Sequence, residues 1–266
     1  MLATVPSHSV ARAAALAAVR ANLWVVDGAA QPSACDVCCL NALCIPEGLA
    51  AHERATFTGM VVQRRMLQSG EALHHAGDPF TNLYFVKTGA FKTVVLLDDG
   101  REQITGFHLA GDMLGIDAIS YRVHASDAIA LEESRVCAIA FSQLSHLSRS
   151  SPPVQDYLHR KLAREVVRDQ ELMLLLGRMH ADERVAAFLQ NLSRRFQARG
   201  CSPQLFTLPM AREDIGNYLG LTLETVSRCF SRLKNAGVIE VDNRRIRILD
   251  SVALRNVVGS KERTDA

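Results

Sequence analysis

Four cysteines lie within ten residues near the start of the chain, in the stretch CDVCCLNALC that runs from Cys35 to Cys44. Thiols grouped this densely are compatible with disulfides, a zinc site, an iron–sulfur cluster or a redox pair. Thiolates are soft ligands, which both zinc and iron–sulfur centres accept. The residue types alone leave these possibilities open.

Length and composition argue against disulfides. The chain has 266 residues, of which 48% are hydrophobic and 22% charged, and its seven cysteines are an odd number. A chain of this size builds a core without covalent staples. No apolar run reaches the roughly 18 residues of a membrane span, and Arg12 and Arg20 interrupt the Ala-rich start, which therefore does not resemble a signal peptide. We expect a cytoplasmic protein with a weakly helical or mobile N-terminal tail, and disulfides are rare in the cytoplasm.

Common enzyme motifs are missing from the sequence. It contains no H-E-x-x-H, no G-x-S-x-G and no phosphate-binding loop, and its nine histidines are scattered. The pair His74-His75 is predicted to lie in a solvated turn. We therefore do not expect an enzyme.

Residues from about 55 to 145 show a β pattern. Short apolar runs, LYFVKTG, FKTVVLL, EQITGFHL and RVCAIAF, alternate with turns rich in Gly and Asp. Many short strands at this spacing predict a sandwich, roll or barrel.

A long helix is predicted after Ser151-Pro152-Pro153. Its apolar seam has spacings of four and three residues, with one acidic residue in it: Leu162, Val166, Asp169, Met173 and Leu176. Such a seam packs a helix either on its own domain or on a second copy of the chain. A charge at a seam position weakens pairing, so Asp169 favours a homodimer held close to its association threshold.

The C-terminal part predicts a winged helix-turn-helix. Two short helices meet at Gly220, and a hairpin follows across Asp242-Asn243-Arg244. On the second helix, Glu224, Ser227 and Arg228 lie opposite the apolar stripe and are candidates for contacts with base edges. Candidates for phosphate contacts are Thr222, Thr225, Arg232, Lys234 and Arg244. Residues 181–266 carry 14 Lys and Arg against 10 Asp and Glu, which favours a nucleic-acid partner over a merely solvated face.

These stretches together resemble the CRP/FNR family of bacterial transcription regulators, and within it the oxygen-sensing FNR branch. The most specific ones are EQITGFHLAGD, AAFLQNLSRRF and DIGNYLGLTLETVSR, and the resemblance runs from Cys35 to about Leu249. It implies an α+β chain with four parts. They are a tail and cysteine loop (1–45), a β-roll similar to cyclic-nucleotide-binding jelly rolls (46–150), a dimerisation helix (151–180) and a winged helix-turn-helix (181–266).

The resemblance also implies a cofactor. Members of the FNR branch hold an oxygen-labile [4Fe–4S] cluster on three cysteines spaced C-x2-C-x5-C and on a fourth cysteine in the β-roll. The matching residues are Cys35, Cys38, Cys44 and Cys137. Without the resemblance, Cys137 would be interpreted as a core strand residue. Cys39 does not fit the spacing and is expected to be a free thiol, and Cys201 and Cys229 are expected to be buried structural cysteines.

Partner contacts follow from the same resemblance. Asp169 matches the position whose charges oppose each other across the dimer helices. Glu224, Ser227 and Arg228 match the base-contacting residues for a TTGAT-like palindromic DNA site, and the turn Asp98–Arg101 matches a contact with RNA polymerase. A cyclic nucleotide is not expected, because GDMLGIDAISYRVHAS has no Arg-Ser or Arg-Thr pair. Structural zinc remains an alternative to the cluster.

Overall fold

The structure is a computed structural model that describes Cys35 and residues 38–259. The predicted N-terminal tail lies almost entirely outside the described residues. The N-terminal elements are α1 (Asn41–Cys44), α2 (Ala51–Gly59), β1 (Val61–Leu67), β2 (Ala72–His74), β3 (Asn82–Thr88), β4 (Ala90–Leu96), β5 (Glu102–Leu109), β6 (Met113–Leu114), a 3-10 turn (Ile116–Ala118), β7 (Asp127–Ala130), β8 (Ser134–Ala140) and α3 (Phe141–Ser150). The elements that follow are α4 (Pro152–Arg178), α5 (Ala181–Gln197), β9 (Leu205–Thr207), α6 (Arg212–Leu219), α7 (Leu223–Asn235), β10 (Ile239–Asp242), β11 (Arg245–Ile248) and α8 (Ser251–Gly259).

Two antiparallel four-stranded sheets form the N-terminal domain. Their strand orders are β1-β8-β3-β6 and β2-β7-β4-β5. In β3, Leu83 and Phe85 are buried and the residue between them is only partly buried, as expected of a strand with one face on the core. Val86 from the first sheet and Phe91 from the second belong to one apolar cluster. The predicted β-roll and the α+β class are therefore confirmed.

Two helices flank the roll in the region predicted to be β. They are α2 at its start and α3 at its end. Leu144 and Leu147 of α3 are buried at a spacing of three residues, which is a helical and not a strand period. The prediction of an all-β segment was therefore wrong at both ends.

The prediction for His74 was also wrong. His74 lies in strand β2 and is buried, and its ring stacks on that of His124 with 3.6 Å between the centroids. Burial, and next the electrostatic effect of the neighbouring His124, lower the pKa of His74 to about 4. Only His75 is exposed, as expected of a turn.

The long helix α4 begins with Pro152, at a position where the missing proline N–H is not needed. One face packs on the rest of the chain and buries Val154, Tyr157 and Leu175. Although α4 has 27 residues, no helix in the described part of the chain is long and apolar enough to span a membrane.

The C-terminal domain is a winged helix-turn-helix. A three-stranded sheet of order β10-β11-β9 follows the helices, and its hairpin pairs Asp242 with Arg245 around a two-residue turn. Strand β9 has three residues and was not predicted. Ile104 and Phe107 of the β-roll belong to the same apolar cluster as core residues of this domain, so the two domains share a core.

Candidate cysteine centre and nucleic-acid interface

The cysteine-rich loop is a compact series of turns. The main-chain N–H of Cys38 donates to the carbonyl of Cys35 at 3.2 Å, and helix α1 carries Cys44 at its last position. Leu40 and Ile45 flank α1 and are buried. These two apolar residues anchor the loop to the protein core.

Two side chains of α4 bind the end of this loop. The Tyr157 hydroxyl donates to the carbonyl of Cys44 at 2.9 Å, and Lys161 Nζ donates to the carbonyl of Leu43 at 3.1 Å. The last carbonyls of a helix have no intrahelical donors, so these bonds satisfy groups that would otherwise be unpaired. The loop is thereby connected to the long helix.

Cys137 comes from the β-roll. It lies on β8, opposite Phe85 of the neighbouring strand β3. It lines the same apolar cavity as Cys35, Cys38 and Cys44. The structure therefore brings the four predicted ligands around one cavity, three from the loop and one from the sheet.

The donor set fits a metal centre, although the loop must move to accommodate one. Four thiols are the ligands of a [4Fe–4S] cluster or of tetrahedral zinc. The cavity that they line has a volume of about 30 Å³. Within the described residues, no three His, Cys, Asp or Glu side chains are grouped closely enough to hold a metal ion. A metal centre therefore requires the loop to shift relative to β8.

The thiol of Cys44 is strongly biased toward its protonated form. Burial raises its pKa to about 12, the charge of Lys161 partly offsets this effect, and the neighbouring thiols of the site add to it. A metal binds the thiolate, so loading of the site must release this proton. Cys39, in contrast, is exposed and does not line the cavity.

The turn after β5 touches the cysteine loop and the C-terminal domain together. Gly111 has a φ of +88°, a conformation that favours glycine, and a Cβ at this position would lie 2.8 Å from Leu43 Cδ1. The next residue, Asp112, forms ion pairs with Arg195 of α5 at 2.6 Å and with Arg199, in the turn after α5, at 2.8 Å. Burial disfavours the charged form of Asp112, but these arginines outweigh burial and hold its pKa well below the usual range.

Two glycines shape the helix-turn-helix. Gly220 ends α6 in the left-handed region with a φ of +63°. A Cβ on Gly216 would lie 2.6 Å from the carbonyl oxygen of Leu221, so α6 and α7 approach each other closely only because this position is glycine.

The second helix, α7, presents the predicted base-contacting residues to solvent. Thr222 caps the helix by accepting a hydrogen bond from the N–H of Thr225 at 3.2 Å. The buried stripe of α7 consists of Val226, Cys229, Phe230 and Leu233. Glu224, Ser227 and Arg228 are all exposed near the end that enters the major groove in this motif.

The predicted phosphate contacts differ in availability. Lys234 is exposed, and Arg244 is exposed while one of its nitrogens donates to the carbonyl of Pro209 at 3.3 Å. Arg232 instead forms an ion pair with Asp182 of α5 at 2.7 Å and is therefore already partnered. Cys229 is buried as expected, but Cys201 is exposed, because it lies in the loop after α5 and not in the core. The prediction for Cys201 was wrong.

The predicted seam of α4 is divided between two environments. Leu176 packs against the core of the C-terminal domain and Leu162 is half-buried. Asp169 is exposed, and Val166 and Met173 are 55% and 64% exposed. Only the middle of the seam is therefore free to meet a partner helix.

Contacts between the domains were not predicted from the sequence. Lys92 of β4 forms an ion pair with Asp214 of α6 at 2.7 Å, and both side chains are largely buried. Gln103 of β5 donates to the carbonyl of Asn217 at 2.9 Å. Partners more than a hundred positions apart leave no local pattern in a sequence.

The turn predicted to meet RNA polymerase joins β4 to β5 and is exposed. Its shape is supported internally, because Arg101 Nε donates to Asp99 at 2.8 Å. No residue in the described part of the chain buries this turn.

Comparisons with known proteins agree with this geometry. Residues 183–257 match the Crp-like helix-turn-helix domain, and residues 64–151 match the cyclic nucleotide-binding domain. The "Fumarate and nitrate reduction regulatory protein" of Escherichia coli K12 is 44% identical over 225 residues, which cover 85% of this chain and 90% of that protein. The chain belongs to the CRP/FNR family of transcription regulators.

Other members of the family are similar over most of the chain. The "Transcriptional activator protein anr" of Pseudomonas aeruginosa is 43% identical over 227 residues and covers 85% of this chain and 93% of its own length. The structure of FixK2 from Bradyrhizobium japonicum has a TM-score of 0.68 at 36% identity and covers 73% of this chain and 96% of its own. This CRP/FNR protein is therefore a DNA-binding transcription regulator of the FNR type and not an enzyme. The expectation that it binds no cyclic nucleotide stays a prediction.

Proposed function

We propose that this regulator responds to oxygen through a [4Fe–4S] cluster held by Cys35, Cys38, Cys44 and Cys137. The observation that carries the proposal is that these four thiols line one apolar cavity. The names of the relatives, which refer to fumarate and nitrate reduction, support it. When bound, such a cluster supplies an oxygen-labile link between the loop and the β-roll.

The long helix α4 is proposed to sense the position of the cysteine loop. Tyr157 and Lys161 hold the loop carbonyls, so a displaced loop changes the support of this helix. Further along α4, Val166 and Met173 are exposed, and burying each against a partner contributes about 1.5–3 kcal/mol. Apposed Asp169 side chains oppose that gain. A change of a few kcal/mol in the free energy of association therefore shifts the equilibrium between monomer and homodimer.

The homodimer would present two copies of α7 to double-stranded DNA. Recognition helices of a two-fold dimer read half-sites about 34 Å apart, which fits a palindromic site with TTGAT-like halves. Arg228 is suited to guanine, Glu224 to the cytosine amino group and Ser227 to several bases. Thr222 and Thr225 would contact phosphates. The exposed turn at Asp98–Arg101 would meet RNA polymerase in the cytoplasm.

A second function for the cysteine centre rests on the same four thiols, because they are also the ligand set of a tetrahedral zinc site. The alternative is a DNA-binding regulator of the same family with structural zinc or a thiol-redox site. Zinc is redox-silent and closes a tetrahedral site, so this alternative has no oxygen switch.

Metal analysis of the chain purified without air tests the proposal. We expect about four irons and four acid-labile sulfides per chain, with visible absorbance that bleaches in air. Cys137→Ser should lose the cluster, and Cys39→Ser, which changes an exposed thiol in the same loop region, should retain it.

Two results would contradict the proposal. Stoichiometric zinc with no spectral change in air would support the structural alternative. Equal iron contents in Cys137→Ser and the unchanged chain would remove the β-roll cysteine from the ligand set. Binding to a duplex with the palindromic site, measured by fluorescence anisotropy, tests the DNA-binding role separately.

A further inference from the structure

A cavity of about 310 Å³ lies where the Gly111–Asp112 turn, helix α4 and helix α5 meet. It is separate from the cysteine cavity, although Leu43 of the cysteine loop forms part of its wall. It therefore adjoins the sensor loop, the long helix and the DNA-binding domain.

Basic side chains dominate the wall of this cavity. The wall contains six basic and three acidic side chains, which leaves an excess of three positive charges. The basic residues are Lys161, Arg164, Arg168, Arg194, Arg195 and Arg199. The acidic residues are already engaged. Asp112 pairs with three of the arginines, Glu165 pairs with Arg168, and Glu171 accepts a hydrogen bond from Asn191.

Two of the arginines have donors to spare. Arg164 and Arg194 are exposed, and neither forms a side-chain hydrogen bond or ion pair with the described residues. Deeper in the wall, Arg195 Nε is buried without a hydrogen-bond partner among the described residues. Guanidinium groups donate in a planar fork that matches phosphate oxygens, so the unused donors suit a phosphate-type anion.

A dimer formed through the seam of α4 would leave the cavity open. Two residues along an α-helix correspond to a rotation of about 200°. Arg164 is two residues from both Leu162 and Val166 and therefore points away from the seam. The DNA-contacting face of α7 contributes no residue to the cavity wall.

We propose that this cavity binds a small, multiply charged anion of the phosphate class. The anion would bridge Arg164 on α4 and Arg194 on α5 and would neutralise the excess charge. It would thereby strengthen the connection between the long helix and the helix-turn-helix domain. This site goes beyond the proposed oxygen response and does not require a metal at the cysteines.

Calorimetric titration of the full chain with inorganic pyrophosphate, at constant ionic strength, tests the site. We expect one saturable site per chain. The double variant Arg164→Ala, Arg194→Ala should bind about tenfold more weakly or worse, because two charge-assisted contacts are lost. Both side chains are exposed, so the variant should fold, which its circular dichroism would verify. Arg228→Ala, on the DNA-binding face, is the matched control and should bind pyrophosphate like the unchanged chain.

Two outcomes would overturn the proposal. One is the absence of saturable binding at millimolar pyrophosphate. The other is a loss of affinity in Arg228→Ala with none in the double variant, which would place the probe on the DNA-binding surface. Metal content can be measured on the same samples, so a failure of the anion-site proposal can be distinguished from a failure of the cluster proposal.

Discussion

Asn217 of α6 hydrogen-bonds to the edge strand β5 of the β-roll as a neighbouring strand would. Its Oδ1 accepts from the main-chain N–H of Ile104 at 2.6 Å, and its Nδ2 donates to the carbonyl of Glu102 at 2.8 Å. An edge strand has unpaired main-chain groups, and one side chain of the DNA-binding domain satisfies two of them. The orientation of the helix-turn-helix therefore depends on the roll.

Asn217→Ala should loosen this interdomain contact. The variant leaves two main-chain groups of β5 without partners, which should lower the free energy of unfolding by about 1–3 kcal/mol. Hydrogen exchange at the amide of Ile104 should accelerate. Asn191→Ala, which loses only a long hydrogen bond of 3.4 Å, should leave that exchange unchanged. Equal exchange rates in the two variants would show that the contact does not hold the domains.

Lys161→Met should destabilise the cysteine loop. It removes the donor to the carbonyl of Leu43 and also the charge that partly offsets the raised pKa of Cys44. We expect faster exchange of the loop amides at residues 43–45 and lower iron content after reconstitution near neutral pH, with partial recovery at higher pH. Arg160→Met, an exposed neighbour on α4, is the control. Unchanged loop exchange in Lys161→Met would contradict the role given to this lysine.

Asp169→Ala should promote dimerisation in air. It replaces a repelling charge between the exposed Val166 and Met173, so the apolar seam becomes continuous. Light scattering after gel filtration should show a dimer, and duplex binding should no longer require anaerobic handling. Asp156→Ala changes an exposed acid on the same helix and should remain monomeric. A monomeric Asp169→Ala protein would exclude the charge as the switch.

Stability should fall in acid because of His74. Its pKa is about 4 in the folded chain, lowered by burial, against 6.5 for an unperturbed histidine. The unfolded chain therefore binds a proton more readily, and the free energy of unfolding decreases as the pH falls from about 6.5 to about 4. His74→Phe should reduce this loss by about 3 kcal/mol at pH 4, as measured by urea unfolding across that pH range. His75→Phe, at the exposed neighbour, should keep the full pH dependence.

Arg228→Ala should relax base specificity. If Arg228 contacts guanine, its loss should reduce the free energy of binding to the cognate site by about 1–3 kcal/mol. The reduction should be smaller on a site in which that guanine is replaced. Lys234→Ala should instead weaken binding to all DNA sequences by a similar factor. It should also reduce the slope of log K against log salt concentration by about 1, because one phosphate contact is lost. Anisotropy titrations at several salt concentrations separate the two patterns. Identical patterns for both variants would argue against base reading by Arg228.

Structural features that depend on residues close together in the chain could be predicted from the sequence. The apolar stripe of α7, the turn at Gly220 and the apolar run of β3 each depend on neighbours within a few residues, and each lies where the sequence indicated. The β-roll was predicted as a class, but the range given to the β pattern, about 55 to 145, overlapped the end of α2 and the start of α3, because short amphipathic segments at domain edges resemble both periods.

The sequence by itself determined the fold class, the family and the candidate residues, because periodicity, glycine positions and motif spacing are written along the chain. Only the tertiary structure decided that Cys137 lines the same cavity as the loop thiols, that His74 is buried against His124, and that Asp112 forms ion pairs with three arginines from α4, α5 and the turn after α5. Each of these contacts joins residues far apart in sequence. Their energies depend on burial and charge in three dimensions, which the linear order of residues does not reveal.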